Sequence, residues 1–275
     1  MKIAVILNYK KDETVRLAQE VCAFLTAREC ELQIPEGTPG YRVEECRNVD
    51  LSDCDLAILL GGDGTLLGAC HQVQNDIPLL TVNMGRMGFL TEVEKSELFP
   101  ALEQILQKDY SIEEIQLLNA QILRDGGIIY KDFALNDFVL DSGSSYRSMS
   151  ITTEINDEFV STHKSSGLIF SSPIGSTAYA ISAGGPIIMP HTKALLLTHL
   201  AAHSLYARPI VMPEDARIRV LFSSNSTCRI IADGQFAFDC ETGDEILFSA
   251  SDKKLRIVRI KPARFFTTLN NKMVK

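Results

Sequence analysis

Asp63 stands among glycines, in the run Gly61-Gly62-Asp63-Gly64. Three glycines open φ and remove the side chains that hold a ligand away, so backbone N–H groups there can face a phosphate beside a helix start. A carboxylate repels phosphate. Inside an anion-cradling turn its chemistry is therefore to bind Mg²⁺, or to take a proton from a hydroxyl that is being phosphorylated. The alternative is an ordinary cap on the following helix. Gly61, Gly62, Gly64 and Thr65 are the candidate phosphate-binding residues beside it.

Three other stretches carry polar groups where packing alone is a poor account of them. Asn136-Asp137 interrupts an apolar strand pattern. If they face a cleft, Asn136 can both donate to and accept from a heterocyclic base, and Asp137 can bind a metal or a ribose hydroxyl. A β-bulge or strand end with both side chains in water is the competing reading. Ser171-Ser172-Pro173-Ile174-Gly175-Ser176-Thr177-Ala178-Tyr179 reads as a second strand-to-turn-to-helix element, with Lys164 upstream and Ser182-Ala183-Gly184-Gly185-Pro186 closing it. It can cradle phosphate or ribose, and a serine-capped helix explains Ser176 and Thr177 equally well. Asn83-Met84-Gly85-Arg86-Met87-Gly88-Phe89 follows a strand, with Asn83, Arg86 and Phe89 as ligand-facing candidates or as parts of a glycine-shaped loop. His199 and His203 are spaced i and i+4, but no H-E-x-x-H accompanies them, so they read as surface or packing residues.

Positioning these groups calls for alternating strands and helices in the first hundred residues. The apolar runs Ile3 to Leu7, Leu56 to Leu60 and Pro78 to Val82 have the length of buried strands. Helical segments are expected from Asp12 to about Arg28, from Thr65 to about Gln74 and from Ser96 to about Lys108, and Glu31 to Ile34 can be a further strand. That order implies a parallel sheet with ligands at the carboxyl ends of its strands. Pro35, Gly37, Pro39 and Gly40 mark a loop.

Beyond residue 100 the periodicity becomes β-like. Strands are expected over 112–123, 128–140, 148–155, 158–163, 168–171, 217–222, 228–232, 235–238, 246–249 and 255–260, with turns at Asp125-Gly126-Gly127, Asn156-Asp157 and Asp233-Gly234. One helical interruption begins at Gly175, and Thr192 to about Ser204 is a second helix candidate. The expected division is an α/β domain over 1–100, rejoined by a tail at 252–275, and a β-rich domain over 101–251.

With 45% hydrophobic and 23% charged residues, the 275-residue chain has the composition of an ordinary globular protein with room for two cores. The net charge of −8 argues against broad nucleic-acid or acidic-membrane binding, so any phosphate site must be built locally. Seven cysteines with no C-x-x-C pair indicate neither a disulfide framework nor a zinc site. Without a signal-peptide core or a membrane-length run, the chain reads as cytoplasmic.

The motifs together resemble the NAD kinase family, within the wider group of G-G-D-G-T kinases that act on lipid and sugar substrates as well. The matching runs are G-G-D-G-T at 61–65, N-M-G-R-M-G-F-L at 83–90, L-N-D at 135–137, G-S-T-A-Y at 175–179, S-A-G-G-P at 182–186, A-R-P-I-V at 207–211 and D-G-Q at 233–235. G-S-T-A-Y followed by S-A-G-G-P is the specific pair. The resemblance implies a nucleotide-binding α/β domain with a parallel sheet, a β-rich NAD-binding domain, and an active site in the cleft between them. The activity implied is phosphoryl transfer from ATP, or polyphosphate in some members, to the 2′-hydroxyl of the adenosine ribose of NAD, with Mg²⁺ as cofactor.

By the same resemblance, Asp63 is the proton acceptor and Gly64 gives backbone contact. Phe89 packs on adenine, and Asn136 and Asp137 hold base, ribose or metal. Arg147 and Lys164 fall where relatives have basic or ligand-contacting residues. Thr177, Ala178, Tyr179, Ala180, Ile181 and Ser182 line the dinucleotide site, and Gln235 completes it. A dimer or tetramer is expected.

The chain departs from the family pattern at Asp137, where most members have glutamate. It departs also at Ser166-Gly167, where many have aspartate and glycine, and at Ile174, where threonine is usual. Competing functions are a kinase of a lipid acceptor, which G-S-T-A-Y disfavours, and a non-catalytic dinucleotide sensor, which the departures at Ser166 and Asp137 motivate.

Overall fold

The structure, a computed structural model, describes residues 1–9, 11–34, 41–42, 51–72, 77–85, 88–143, 148–262 and 265–273. The expected loop at 35–40, Arg86 and Arg147 lie outside the described residues. The chain forms two compact units, one of Met1–Ile115 with Leu255–Lys275 and one of Gln116–Lys254.

The first unit runs β1 (Lys2–Leu7), α1 (Asp12–Thr26), β2 (Glu31–Gln33), β3 (Tyr41–Arg42), β4 (Leu56–Gly61), α2 (Asp63–Gln72), β5 (Leu79–Asn83) and β6 (Val93–Glu94). A short 3-10 turn (Lys95–Glu97), α3 (Leu98–Leu106) and β7 (Ser111–Arg124) follow, the last leading into the second unit. Its strands pair in parallel in the order β2, β1, β4, β5. Every residue of β4 and β5 is buried, as in a sheet covered on both faces, which is why these strands read as continuous apolar runs. Helix α1 buries Leu17, Ala18, Val21 and Leu25, a spacing of three and four that lays one face on the sheet. In register, Leu7 lies opposite Leu60, and Gly61 opposite Asn83. The carboxyl ends of β1, β4 and β5 thus share one edge, the place where open parallel sheets bind ligands.

The second unit continues with β8 (Gly127–Ala134), β9 (Asp137–Asp141), β10 (Met149–Ile155), β11 (Glu158–Ser165) and β12 (Gly167–Ser171). After a 3-10 turn (Gly175–Thr177) come α4 (Tyr179–Ser182), β13 (Ala194–Leu200), β14 (Ile210–Pro213), β15 (Ile218–Ser223), β16 (Cys228–Ala232), β17 (Phe236–Cys240) and β18 (Glu245–Arg259). One antiparallel set pairs in the order β11, β10, β15, β18; a second runs β14, β13, β12, β9, β16, β17. Their shared core holds Phe138, Phe170 and Phe248, with Phe248 stacked at 4.9 Å on Phe170. The chain returns to the first unit along β18, whose Ile257 pairs in parallel with Leu79 of β5, and ends its described part in α5 (Phe265–Met273).

Four expectations need correction. Thr192 to Ser204 is not a helix: Ala194–Leu200 is β13, so His199 and His203 share no helical face. The expected strand over 128–140 is broken at Leu135-Asn136 into β8 and β9, while the two expected over 246–249 and 255–260 are one strand, β18. The expected helix from Gly175 amounts to one 3-10 turn and the four residues of α4. The tail from 252 groups with the first unit from Leu255 on and carries α5.

Candidate active site

In the first unit, β4 delivers the chain at the sheet edge and α2 begins there, with Thr65 and Leu66 N–H donating to the Gly62 carbonyl. Asp63 opens that helix but does not cap it. Its carboxylate reaches across to the loop after β5, accepting from the N–H of Phe89 at 3.0 Å (Oδ2) and of Leu90 at 3.2 Å (Oδ1). Gly88 makes room for it, since a Cβ at that position would stand 1.9 Å from Asp63 Oδ1. Gly62 and Gly64 are different: among the described residues a Cβ at either would meet nothing within 4 Å, and neither has a positive φ. Among the described residues, neither packing nor a left-handed backbone accounts for these two glycines. Gly61 is buried at the end of β4, and Thr65 is half-buried beside it.

The aromatic ring of Phe89 faces α5. Phe265 packs on it at 5.8 Å, and Lys272 Nζ stands 4.4 Å from its centre while donating to Asp63 Oδ2 at 3.3 Å. Asn83, expected to face a ligand, is instead buried, its amide donating to Glu94 and accepting from Gly85 N–H.

In the second unit, the bend between β8 and β9 places Asn136 and Asp137 on a cavity of about 350 Å³, a volume suited to part of a nucleotide. Of the expected residues Asn136, Asp137, Ala178 and Tyr179 line it, joined by Val139, Asp141, Leu200, Ile231, Asp233 and Gly234. The bend is pinned from two sides. Asp233, at the hairpin between β16 and β17, accepts from the N–H of Leu135 (2.9 Å), Asn136 (2.7 Å) and Asp137 (3.2 Å). Ser172 Oγ donates to the Leu135 carbonyl at 2.6 Å, and Gly175 passes so near the Asn136 carbonyl that a Cβ there would stand 1.9 Å from its oxygen. This is the packing reason for the glycine of G-S-T-A-Y.

Asp137 is only 4% exposed. Burial, and after it the charge of Asp233, push its carboxyl up to about 7, while the Tyr179 backbone N–H pulls the other way. The remaining expected residues are not brought to this cavity. Ala180 is core, packed with Ile169, Ile188 and Leu196. Thr177 Oγ1 donates to the Ile174 carbonyl at 3.0 Å. Ser166 joins β11 to β12, its N–H on the Leu200 carbonyl; Lys164, Ser182 and Gln235 are exposed, and Ile181 is half-buried outside the lining.

Family models match most of the chain: the ATP-NAD kinase N-terminal domain over residues 3–110 and the ATP-NAD kinase C-terminal domain over 135–260. The NAD kinase of Heliobacterium modesticaldum is 41% identical over 280 aligned positions, covering 98% of each chain. The chain belongs to the NAD kinase family. The NAD kinase of Caldanaerobacter subterraneus is 34% identical, over 100% of this chain and 99% of its own. Among solved structures, an NAD kinase from Archaeoglobus fulgidus in complex with ATP superposes with a TM-score of 0.79 at 25% identity, over 99% of this chain and 98% of that one. Yeast NADH kinase complexed with NADH shares the fold, with a TM-score of 0.83 at 22% identity, over 100% of this chain and 87% of that one.

Within this NAD kinase fold, the contacts of Asp233 and Lys272 have no local signal in the sequence. The D-G-Q run was legible as a hairpin; that its carboxylate serves a bend 96 to 98 residues away was not. Gly167, next to the Ser166 departure, is held by packing, for a Cβ there would stand 2.3 Å from the Leu140 carbonyl oxygen. For Mg²⁺ the donor set does not fit a protein-built site. Asp137 is a single buried carboxylate beside Asp233, whose oxygens are engaged by backbone N–H groups. Among the described residues no grouping of three His, Cys, Asp or Glu side chains could hold an ion.

Proposed function

We infer that this chain is an ATP-dependent NAD kinase, moving the γ-phosphoryl group of ATP to the 2′-hydroxyl of the adenosine ribose of NAD to give NADP. The observation that carries the reading is Asp63. It is a carboxylate fixed by two backbone N–H groups at the sheet edge, flanked by two glycines whose Cβ positions meet no described residue. In the proposed step the O2′–P bond forms, the bond from the γ-phosphorus to ADP breaks, and the hydroxyl proton passes to Asp63. An alcohol becomes acidic only as that bond forms, so the carboxylate acts late and from a preset position.

The proposed division of labour gives the donor phosphates to Gly61, Gly62, Gly64 and Thr65, and the acceptor to the second unit. Asn136 then reads the base through its amide, Asp137 meets a ribose hydroxyl, and Tyr179 closes the cavity beside Ala178. Phe89 is proposed as the adenine-packing ring. Lys164, Ser166, Thr177, Ala180, Ile181, Ser182 and Gln235 are proposed as further NAD contacts on the family resemblance alone, and none of them lines this cavity. Magnesium bound together with the ATP phosphates would supply neutralisation of their charge. A cytoplasmic homo-oligomer is the proposed setting, and among the described residues no helix is long and apolar enough to cross a membrane.

The test is product identity. Incubation with NAD and Mg·ATP should yield NADP carrying one phosphate on the 2′-oxygen, resolved by ³¹P resonance and by its use in an NADP-specific dehydrogenase. Phosphate on a lipid acceptor with no NADP would replace the reading with the lipid-kinase alternative, and NAD binding without transfer would replace it with the sensor.

A further inference from the structure

We propose that Lys272, on helix α5, is a further catalytic residue, its ammonium facing the phosphoryl group as that group passes beside Asp63. The proposal rests on the reading of the chain as an NAD kinase. Lys272 Nζ donates to Asp63 Oδ2 at 3.3 Å. A hydroxyl that gives its proton to the same carboxylate must come within about 2.6–3.2 Å of it, so the ammonium and the reacting oxygen share one carboxylate.

The pair has little to offer as a stability device. Lys272 and Asp63 side chains are 37% and 25% exposed, and ion pairs this wet contribute little to folding. Placement, by contrast, is well defined: Phe265 of α5 packs at 5.8 Å on Phe89, the residue whose N–H holds Asp63, and Lys272 Nζ lies over that same ring at 4.4 Å. One aromatic contact therefore fixes the helix, the cation and the carboxylate together.

The structure places this cation on the Asp63 carboxylate, at the edge where the proposed reaction builds charge. The turn carries a carboxylate, the chain as a whole carries −8, and the transferring group spreads negative charge over three oxygens. Backbone N–H groups supply partial charges only. A preset cation at the point where charge develops is the recurrent answer to this need. Lys272 keeps its proton throughout; the hydroxyl proton still ends on Asp63.

The test uses the full chain and steady-state NADP formation from NAD and Mg·ATP for wild type, Lys272→Met and Lys272→Arg. Lys272→Met should lower kcat by about 10- to 1000-fold, the range for losing one charge-stabilising donor. KM for NAD should stay within about threefold and the thermal midpoint should not move, as expected for a half-exposed side chain. Lys272→Arg should recover most of the loss, and added ethylammonium should partly restore Lys272→Ala, neither of which a merely structural role produces. Turnover in Lys272→Met equal to wild type overturns the proposal, and turnover above wild type overturns it in favour of a clamp that restrains the base. A wild-type chain that makes no NADP removes the underlying reading and the proposal with it.

Discussion

The Asp233 carboxylate accepts the Asn136 backbone N–H at 2.7 Å, across 97 residues of chain, and in doing so fixes the direction in which Asn136 and Asp137 leave the strand. The same carboxylate takes the N–H groups on either side, so one buried side chain closes the backbone of the whole bend. Replacing it with alanine would leave three N–H groups unpaired in a site that is only 7% exposed. Asp233→Ala should cost about 2–4 kcal/mol of stability, from the loss of charge-assisted hydrogen bonds. It should also raise KM for NAD by about tenfold, with kcat less affected, because the acceptor groups lose their placement. Urea unfolding and initial-rate kinetics on the one variant check both halves.

Asp137 gives the fold a pH dependence with a definite sign. Folded, its carboxyl keeps its proton up to about 7, because burial and then Asp233 disfavour the anion; unfolded, it releases it near ~3.9. Between those values the folded chain binds more protons, so this contribution to stability is complete at the acid end and is lost as pH rises through about 7. Asp137→Asn removes the titration. The difference in urea midpoint, variant minus wild type, should therefore grow with rising pH across that window and level off above it.

Gly88 tests the placement of the proposed base without touching it. A Cβ at this position would stand 1.9 Å from Asp63 Oδ1, and the side chain is the part free to yield. Gly88→Ala should turn the carboxylate away, lowering kcat by about 10- to 100-fold, in line with the cost of misplacing a catalytic group by about 1 Å. NAD affinity, measured by calorimetry, should fall less than kcat, because the acceptor groups of the second unit are untouched and only the neighbouring Phe89 contact is at risk.

What was legible in the chain followed from local pattern. The runs at 3–7, 56–60 and 78–82 announce buried parallel strands because each is short, almost wholly apolar and spaced by helical segments, and the glycines around Asp63 announce a turn at the end of the second. Ala194–Leu200 misled for the same reason: a run buried on both faces has no alternation, so strand and helix look alike. Strand β18 reads as two strands because its middle, Ala250 to Lys254, is largely polar, while the strand pairs with β15 over Glu245–Phe248 on one side of that stretch and with β5 at Ile257 on the other. The roles of Asp233 and Lys272 were beyond any local reading. Each is set by a partner 96 to 209 residues away, through contacts that only the folded chain creates.

The central claim is that Asp63 accepts the proton of the hydroxyl being phosphorylated, and the most direct measurement is kcat for Asp63→Asn against wild type at saturating NAD and Mg·ATP. The amide keeps the size and can still accept from Phe89 or Leu90 through its oxygen, but it cannot take the proton. The account predicts a fall in kcat of about 100-fold or more, with NAD affinity changed by less than about fivefold. NADP formation by Asp63→Asn at the wild-type rate would contradict it.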